Sequence, residues 1–258
     1  MRLNSAGEQF NRQAAQYAVS DVHSSGESLR ILNAWASVER YPLGLDIATG
    51  PGFTAFSVAG FCDTIVASDI AQGMLDQARR IADERGIANV RFEIVDACDI
   101  SYPDASIDLV TCRTAPHHFQ DIGRFLSEVH RVLRPGGVFL LCDTTTSEDP
   151  VVAAWHHRVE VERDPTHVTA PTPKEWRRDL GGTGFELTHT AYTRVEMTLS
   201  DWVERSGTPA EAIKGLYRDF ADAPREVRSE FGIRRSGDDD FEFYWPVFCC
   251  RAVKTQRA

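Results

Sequence analysis

Between residues 43 and 143, short apolar runs alternate with helical patterns, and this alternation narrows the possible folds more than any other feature. The runs fall at about 43–48, 64–69, 90–96, 107–113 and 137–143, and the helical patterns at about 52–60, 71–85 and 120–133. Strands separated in this way by helices pair in parallel, through right-handed crossovers, with helices covering both faces of the sheet. The expected architecture is therefore a doubly wound α/β domain. The stretch Arg134-Pro135-Gly136-Gly137 stops the third helix and turns the chain toward the fifth strand.

The rhythm changes after Asp143. Residues 150–180 read as helical and are dense in His, Trp and Arg; 185–198 reads as a long strand, 200–235 as helical, and "FEFYWPVFCCRAVK" as a last strand. The first 40 residues also read as helices. One domain over 1–258 fits better than two, with 1–40, 145–180 and 200–236 forming a helical cap on a cofactor-binding core at 41–143.

The chain's 258 residues, 42% of them hydrophobic, suffice for one large core. A net charge of −10 argues against nucleic acid as a partner, since a phosphate backbone calls for a basic face. Arg177-Arg178 and Arg234-Arg235 are short and flanked by acids, as solvated surface is. No run has the length of a membrane span or a signal peptide, so neither a membrane nor secretion is expected. The six cysteines include no C-x-x-C pair, and most lie in strand-like apolar segments where cysteine acts as a small hydrophobe. A reducing cytoplasm is the simplest setting.

Chemistry concentrates at the strand ends. In open parallel sheets, ligands bind beyond the carboxyl ends of the strands, next to the first strand. There the chain reads Asp46-Ile47-Ala48-Thr49-Gly50-Pro51-Gly52, a turn whose glycines let backbone approach a ligand closely. The dinucleotide spacing G-x-G-x-x-G is absent, because its third position falls on Ala55. The second strand ends in Asp69, whose carboxylate can accept from both hydroxyls of a ribose. The third ends in Asp96-Ala97, where a carboxylate could take an adenine amine. Met74, just after the second strand, offers a polarizable thioether to cover the ring.

The segments "LDIATGPG", "IVASDIAQGMLDQA", "VRFEIVDACDISYPDASIDLVTCRTAPHHFQD" and "EVHRVLRPGGVFLL" together resemble the class I S-adenosylmethionine-dependent methyltransferases. The branch is similar to the small-molecule enzymes of ubiquinone and menaquinone biosynthesis (methyltransferase type 11). "FNRQAAQY" and "VERDPTHV" extend the likeness beyond the core. The resemblance implies a Rossmann-like, mostly parallel seven-stranded sheet with an antiparallel last strand. It implies that Asp46, Ala48, Thr49, Gly50 and Gly52 serve the methionine half of the cofactor. Asp69 and Ile70 would serve the ribose, and Met74, Asp96 and Ala97 the adenine. Arg113 and Thr114, ending the fourth strand, would line the pocket near the amino acid or the sulfonium, and Tyr17 would close over it. The family's pattern has glycine where this chain has Ala48, an exchange that is tolerable if the local φ is negative.

Methyl transfer asks for a nucleophile held in line with an activated methyl, and a base where the nucleophile carries a proton. Histidine suits that role near neutral pH. His117 and His118 lie just past the fourth strand and are the catalytic candidates, with His118 preferred and only one of the two expected to face the pocket. Trp155, His157 and His167 are the substrate-binding candidates, His167 the better of the two histidines. His156, Arg163 and Asp164 lie in the same segment. Trp176, Tyr192, Trp202, Tyr244 and Trp245 suggest a pocket for an apolar or aromatic molecule. No metal is expected, because no metal-ligand spacing is present. The expected protein is a methyltransferase that converts S-adenosylmethionine to S-adenosylhomocysteine on a small-molecule acceptor, acting as monomer or homodimer. The alternatives are an S-adenosylmethionine-binding enzyme that catalyses a non-methylating step such as cyclisation, or an NAD(P)-dependent oxidoreductase.

Overall fold

A computed structural model describes residues 5–18, 25–237 and 239–255. Five parallel strands carry the first part of the sheet: β1 (Tyr41–Ile47), β2 (Cys62–Asp69), β3 (Val90–Ile94), β4 (Ile107–Arg113) and β5 (Leu133–Thr144). The chain closes with β6 (Phe185–Thr198), β7 (Arg234–Ser236) and β8 (Asp240–Lys254). The order across the sheet is β3-β2-β1-β4-β5-β8-β6. β8 runs antiparallel between β5 and β6, and the short β7 pairs with its beginning as an eighth strand. β1 pairs with both β2 and β4, so the winding reverses beside it and leaves a crevice beyond the carboxyl ends of those strands.

Helices α1 (Ser5–Ala18), α2 (Glu27–Ala36), α3 (Phe53–Val58), α4 (Gln72–Arg85) and α5 (Ile122–Val132) belong to the first half. α6 (Pro150–Arg163), α7 (Pro173–Thr183), α8 (Leu199–Arg205), α9 (Ala210–Ala221) and α10 (Arg225–Phe231) follow. The two long stretches that read as continuous helix are broken. Pro165 and Pro171 bound the loop between α6 and α7, and Gly207-Thr208-Pro209 and Pro224 separate α8, α9 and α10. Proline lacks the N–H that a helix interior needs. After its loop, α7 restarts on a capping box, in which the Thr172 hydroxyl accepts from Glu175 N and the Glu175 carboxylate accepts from Thr172 N. Arg134–Gly137 lies inside β5 as a bulge, since the register steps from Ile107–Leu133 to Leu109–Val138.

Two buried clusters sandwich the sheet. One joins Ile47, Val110 and Phe139 to Phe125 of α5 and Trp176 of α7; the other joins Ile65, Leu109 and Leu140 to Leu32 of α2, Phe53 of α3 and Ala78 of α4. A third cluster stands apart, where α6, α8, α9 and α10 close on the start of β8. Trp155 belongs to that third cluster: it is 8% exposed, with its ring 5.3 Å from Phe220 and 6.1 Å from Phe231. Cys142 and Cys249 face each other across β5 and β8 with Cα atoms 4.1 Å apart, and their sulfurs are joined, a pairing that apolar-strand cysteines alone did not suggest.

Truncating the buried indole of Trp155 leaves a cavity that rigid neighbours cannot fill. Trp155→Ala is expected to lower the unfolding free energy by about 3–5 kcal/mol in a urea titration. A loss under about 1 kcal/mol would mean that the ring is not part of a packed core.

Candidate active site

The turn after β1 hangs on one buried carboxylate. Asp46 is 1% exposed. Its Oδ2 accepts from the Thr49 hydroxyl (2.5 Å) and from Ala55 N in α3 (3.1 Å), while Oδ1 accepts from the Thr111 hydroxyl of β4 (2.5 Å). Burial pushes this carboxyl up to about 6, against the opposite pull of those donors. Asp69, at the end of β2, reaches across to the same turn and accepts from Gly50 N (2.9 Å) and Ala71 N (2.9 Å). The two acids thus bind strand ends, turn and helix starts into one unit.

Three alternate residues of the turn are left-handed: Ala48 at φ 52°, Gly50 at 55° and Gly52 at 89°. At Gly52 a side chain would also strike the Phe56 ring. Ala48 therefore does not have the negative φ that would make a methyl group harmless there. It carries a left-handed cost of about 1–2 kcal/mol. Thr114, a β-branched residue, is held at φ 56° just past β4, with its N–H on Cys142 O at 2.8 Å. Strain of this kind persists only where the surroundings impose it, and it gathers at functional sites.

A cavity of about 490 Å³ opens over these strand ends. Ala48, Thr49 and Gly50 line it from β1, and Asp69, Ile70 and Met74 from the β2–α4 corner. Asp96 and Ala97 line it after β3, and Arg113 and Thr114 after β4. Asp46 and Gly52 lie beneath the turn and support it. The Tyr17 side chain lies outside the described residues.

A second cavity, about 390 Å³, adjoins the first; Phe10, Arg113, Thr114 and His118 line both. Trp202, Trp245, Met197, Glu160, Arg163 and Arg205 are among its walls. Arg113 Nε donates to the Thr54 hydroxyl (2.9 Å), and burial lowers the guanidinium to about 10. Glu160 is held low; burial opposes this but is outweighed by His156 and by Arg163, whose Nη1 lies 3.6 Å away.

His117 and His118 sit in a 3-10 turn (Pro116–His118), and both reach the second cavity, their rings 4.2 Å apart. The expectation that only one would face inward is corrected: the tight turn keeps the two rings in contact, and both line the same cavity. The His117 Nδ1 lies 2.7 Å from Asp143 Oδ1, and its backbone N–H donates to Asp143 Oδ2 at 2.9 Å. Burial pushes this imidazole down, but the charge and hydrogen bond of Asp143 prevail and raise it above its ordinary value. The His118 Nδ1 lies 3.1 Å from the Thr166 hydroxyl, which donates to Asp164 Oδ1 (2.7 Å); that oxygen also accepts from Gln9 of α1 (2.7 Å). Burial and the neighbouring His117 lower His118 to about 3.

The substrate-binding candidates divide: the His157 and His167 rings lie 5.5 Å apart, while Trp155 lies in the third cluster. His167 lines the first cavity, 6% exposed; neither of its ring nitrogens has a partner among the described residues, and burial lowers it to about 3. His157 is exposed on α6 and lines neither cavity, because its helix turns it outward to a surface recess beside Lys174. Trp155 also lines neither, being taken up by the third cluster. Of the other aromatics, Trp202 and Trp245 reach the second cavity, Trp176 is core and Tyr192 is 60% exposed. Asp143, Thr111, Phe10 and Glu160 were missed. Asp143 ends a strand just as Asp46, Asp69 and Asp96 do, so the same strand-end rule could have found it.

Residues 45–141 match the family model of the methyltransferase domain (Methyltransf_11). The uncharacterized methyltransferase YcgJ of Bacillus subtilis is 31% identical over 248 residues, 96% of each chain. This chain is a class I methyltransferase. The YcgJ crystal structure superposes with a TM-score of 0.82 at 29% identity, covering 89% of this chain and 99% of that one. BH2331 of Bacillus halodurans gives 0.84 at 30%, covering 88% and 99%. The demethylmenaquinone methyltransferase of Deinococcus radiodurans is 42% identical over 101 residues, 38% of this chain and 42% of that one.

Ala48→Gly removes the left-handed cost and returns about 0.4–1 kcal/mol as unfolded-chain entropy, so its unfolding free energy is expected to rise by up to about 1 kcal/mol. Ala48→Val puts a branched side chain at the same φ and is expected to fall by about 2 kcal/mol or more. Equal urea midpoints for all three proteins would refute the strain at this position.

Proposed function

We propose that the chain transfers a methyl group from S-adenosylmethionine to a small-molecule acceptor, with the nucleoside in the larger cavity and the acceptor in the second. The observation that carries this reading is the junction: two cavities meet only where Arg113, Thr114, His118 and Phe10 line both. In-line transfer needs such a meeting point, since the reacting atoms must be brought to about 3 Å from opposite sides.

The residues of the larger cavity suit this nucleoside. The Asp69 carboxylate is fixed by two backbone N–H groups and retains lone pairs for ribose hydroxyls. Met74, 2% exposed, lines the cavity with a thioether that would cover a flat base, and the Asp96 carboxylate on the same wall would take its exocyclic amine. The turn offers no G-x-G-x-x-G cradle for a pyrophosphate, and this nucleoside has none. Bound there, S-adenosylmethionine supplies a methyl group already activated by its sulfonium. The protein's share is to orient the acceptor against Trp202 and Trp245, exclude water, and offer histidine on the wall both partners share. The segments around α6 and α8–α10 act as the cap that encloses the acceptor.

S-adenosylmethionine and S-adenosylhomocysteine, each at a hundred times its dissociation constant, are expected to stabilise the protein by about 2.7 kcal/mol, a shift of roughly 5–10 °C, with no shift from NAD or NADP. A shift with the dinucleotides alone would overturn the reading. Asp69→Asn, which spoils acceptance from two hydroxyls, is expected to weaken S-adenosylhomocysteine about 10- to 100-fold by calorimetry. Unchanged affinity would take the ribose away from Asp69.

A further inference from the structure

We infer that Asp143 is a positioning residue which fixes His117 as the base of the reaction, and that the acceptor is accordingly a protic nucleophile whose hydroxyl proton His117 removes. The inference rests on the methyl-transfer reading and deepens it.

Both Asp143 oxygens are committed to a single residue. Oδ2 takes the backbone N–H of His117 and Oδ1 stands 2.7 Å from its Nδ1, while Asp143 itself is 0% exposed. A carboxylate only accepts, so this geometry puts the neutral ring's proton on Nδ1 and leaves the lone pair on Nε2. The backbone bond prevents the turn from rotating the ring away, and the His117 carbonyl adds two further ties, accepting from Val168 N (2.8 Å) and Thr169 N (3.2 Å). His117 lines the acceptor cavity and not the nucleoside cavity. His118 lines both, yet its ring hangs on a hydroxyl that is itself donating to Asp164, so no carboxylate supports a proton on it directly.

The groups that face His117 are known from each element packed on it. Asp143 comes from β5, His118 from its own turn, His167 from the 164–172 loop with its ring 5.8 Å away, and Glu160 and Arg163 from α6. Asp143 and Glu160 favour the imidazolium; Arg163 and burial oppose it. The pair of carboxylates prevails, which is what a base accepting a proton requires.

A neutral amine or a thioether is nucleophilic without losing a proton and has no use for this arrangement. A phenolic or enolic hydroxyl does. Its O–H bond breaks with the proton passing to Nε2 of His117, and the oxygen's electron pair forms the O–CH3 bond. The pair of the S–CH3 bond remains on sulfur, giving S-adenosylhomocysteine. The imidazolium then returns its proton to solvent.

The test is a 15N and 13C NMR titration of the histidine rings, in protein saturated with S-adenosylhomocysteine, with the His117 signals assigned through His117→Gln. In the unsubstituted protein the neutral ring is expected as the Nδ1–H tautomer, titrating above the ordinary histidine value of about 6.5. In Asp143→Asn the midpoint is expected to fall by about one pH unit or more, while the S-adenosylhomocysteine thermal shift is retained. An Nε2–H tautomer in the unsubstituted protein would overturn the proposal whether or not the variant folds, as would a midpoint that Asp143→Asn leaves in place. Loss of the nucleoside's thermal shift from the unsubstituted protein would instead strike the methyl-transfer reading, because the dyad is read from ring signals that need no turnover.

Discussion

The Asp46 carboxylate is the constraint on which the rest of the site depends. It lies at the carboxyl end of β1 and collects a hydroxyl from the turn, a hydroxyl from the neighbouring strand and the Ala55 N–H in the first turn of the helix that follows. Removing it would leave two hydroxyls and an N–H without a buried acceptor, each a loss of about 1–3 kcal/mol. The group also costs something to keep, since burial raises its pKa to about 6. Asp69 repeats the arrangement one strand away, holding Gly50 N. Between them the two acids hold the left-handed conformations at Ala48, Gly50 and Gly52, so that the backbone curls beneath the larger cavity instead of crossing it.

The order of the sheet places everything else. Because the winding reverses between β1 and β4, the carboxyl ends of neighbouring strands present Asp69, Asp96 and the Arg113-Thr114 corner along one edge of the same crevice, with Asp46 buried under the turn beside them. β5, next in line, contributes Asp143 at the same level, where it meets the 3-10 turn that carries His117 and His118. The antiparallel β8 runs on past the end of β5, still paired with β6, and takes Phe243 and Trp245 out to the third cluster. That cluster is a packed apolar body. Its edge residues Trp202 and Trp245 face the cavity, and its centre, including Trp155, does not.

Most of the sheet was legible in the sequence because its strands are short apolar runs between strong stops, and because strand ends in this fold mark the ligand site. The lining of the larger cavity was legible for the same reason: Asp69, Met74 and Asp96 each sit at a fixed offset from a strand. What escaped notice depends on contacts between distant segments. The sign of φ at Ala48 follows from the tethers of Asp46 and Asp69, which no local pattern at residue 48 records. Trp155 and His157 lie two residues apart on one helix, and which way each faces was settled by α9, α10 and β8 packing against it. Asp143 was passed over because it reads as the end of an apolar strand, and its partner lies 26 residues earlier. The two long helical stretches are cut at Pro165, Pro171, Pro209 and Pro224, where the missing N–H stops a helix whatever the pattern around it.

The direct test of a two-chambered site is a crystal structure of the protein with S-adenosylhomocysteine bound. The adenosine is expected in the larger cavity with its ribose on Asp69, and the sulfur at the junction lined by Arg113, Thr114 and His118, facing the second cavity. Adenosine in the second cavity, or a sulfur directed away from that junction, would contradict the division of the site into a nucleoside chamber and an acceptor chamber.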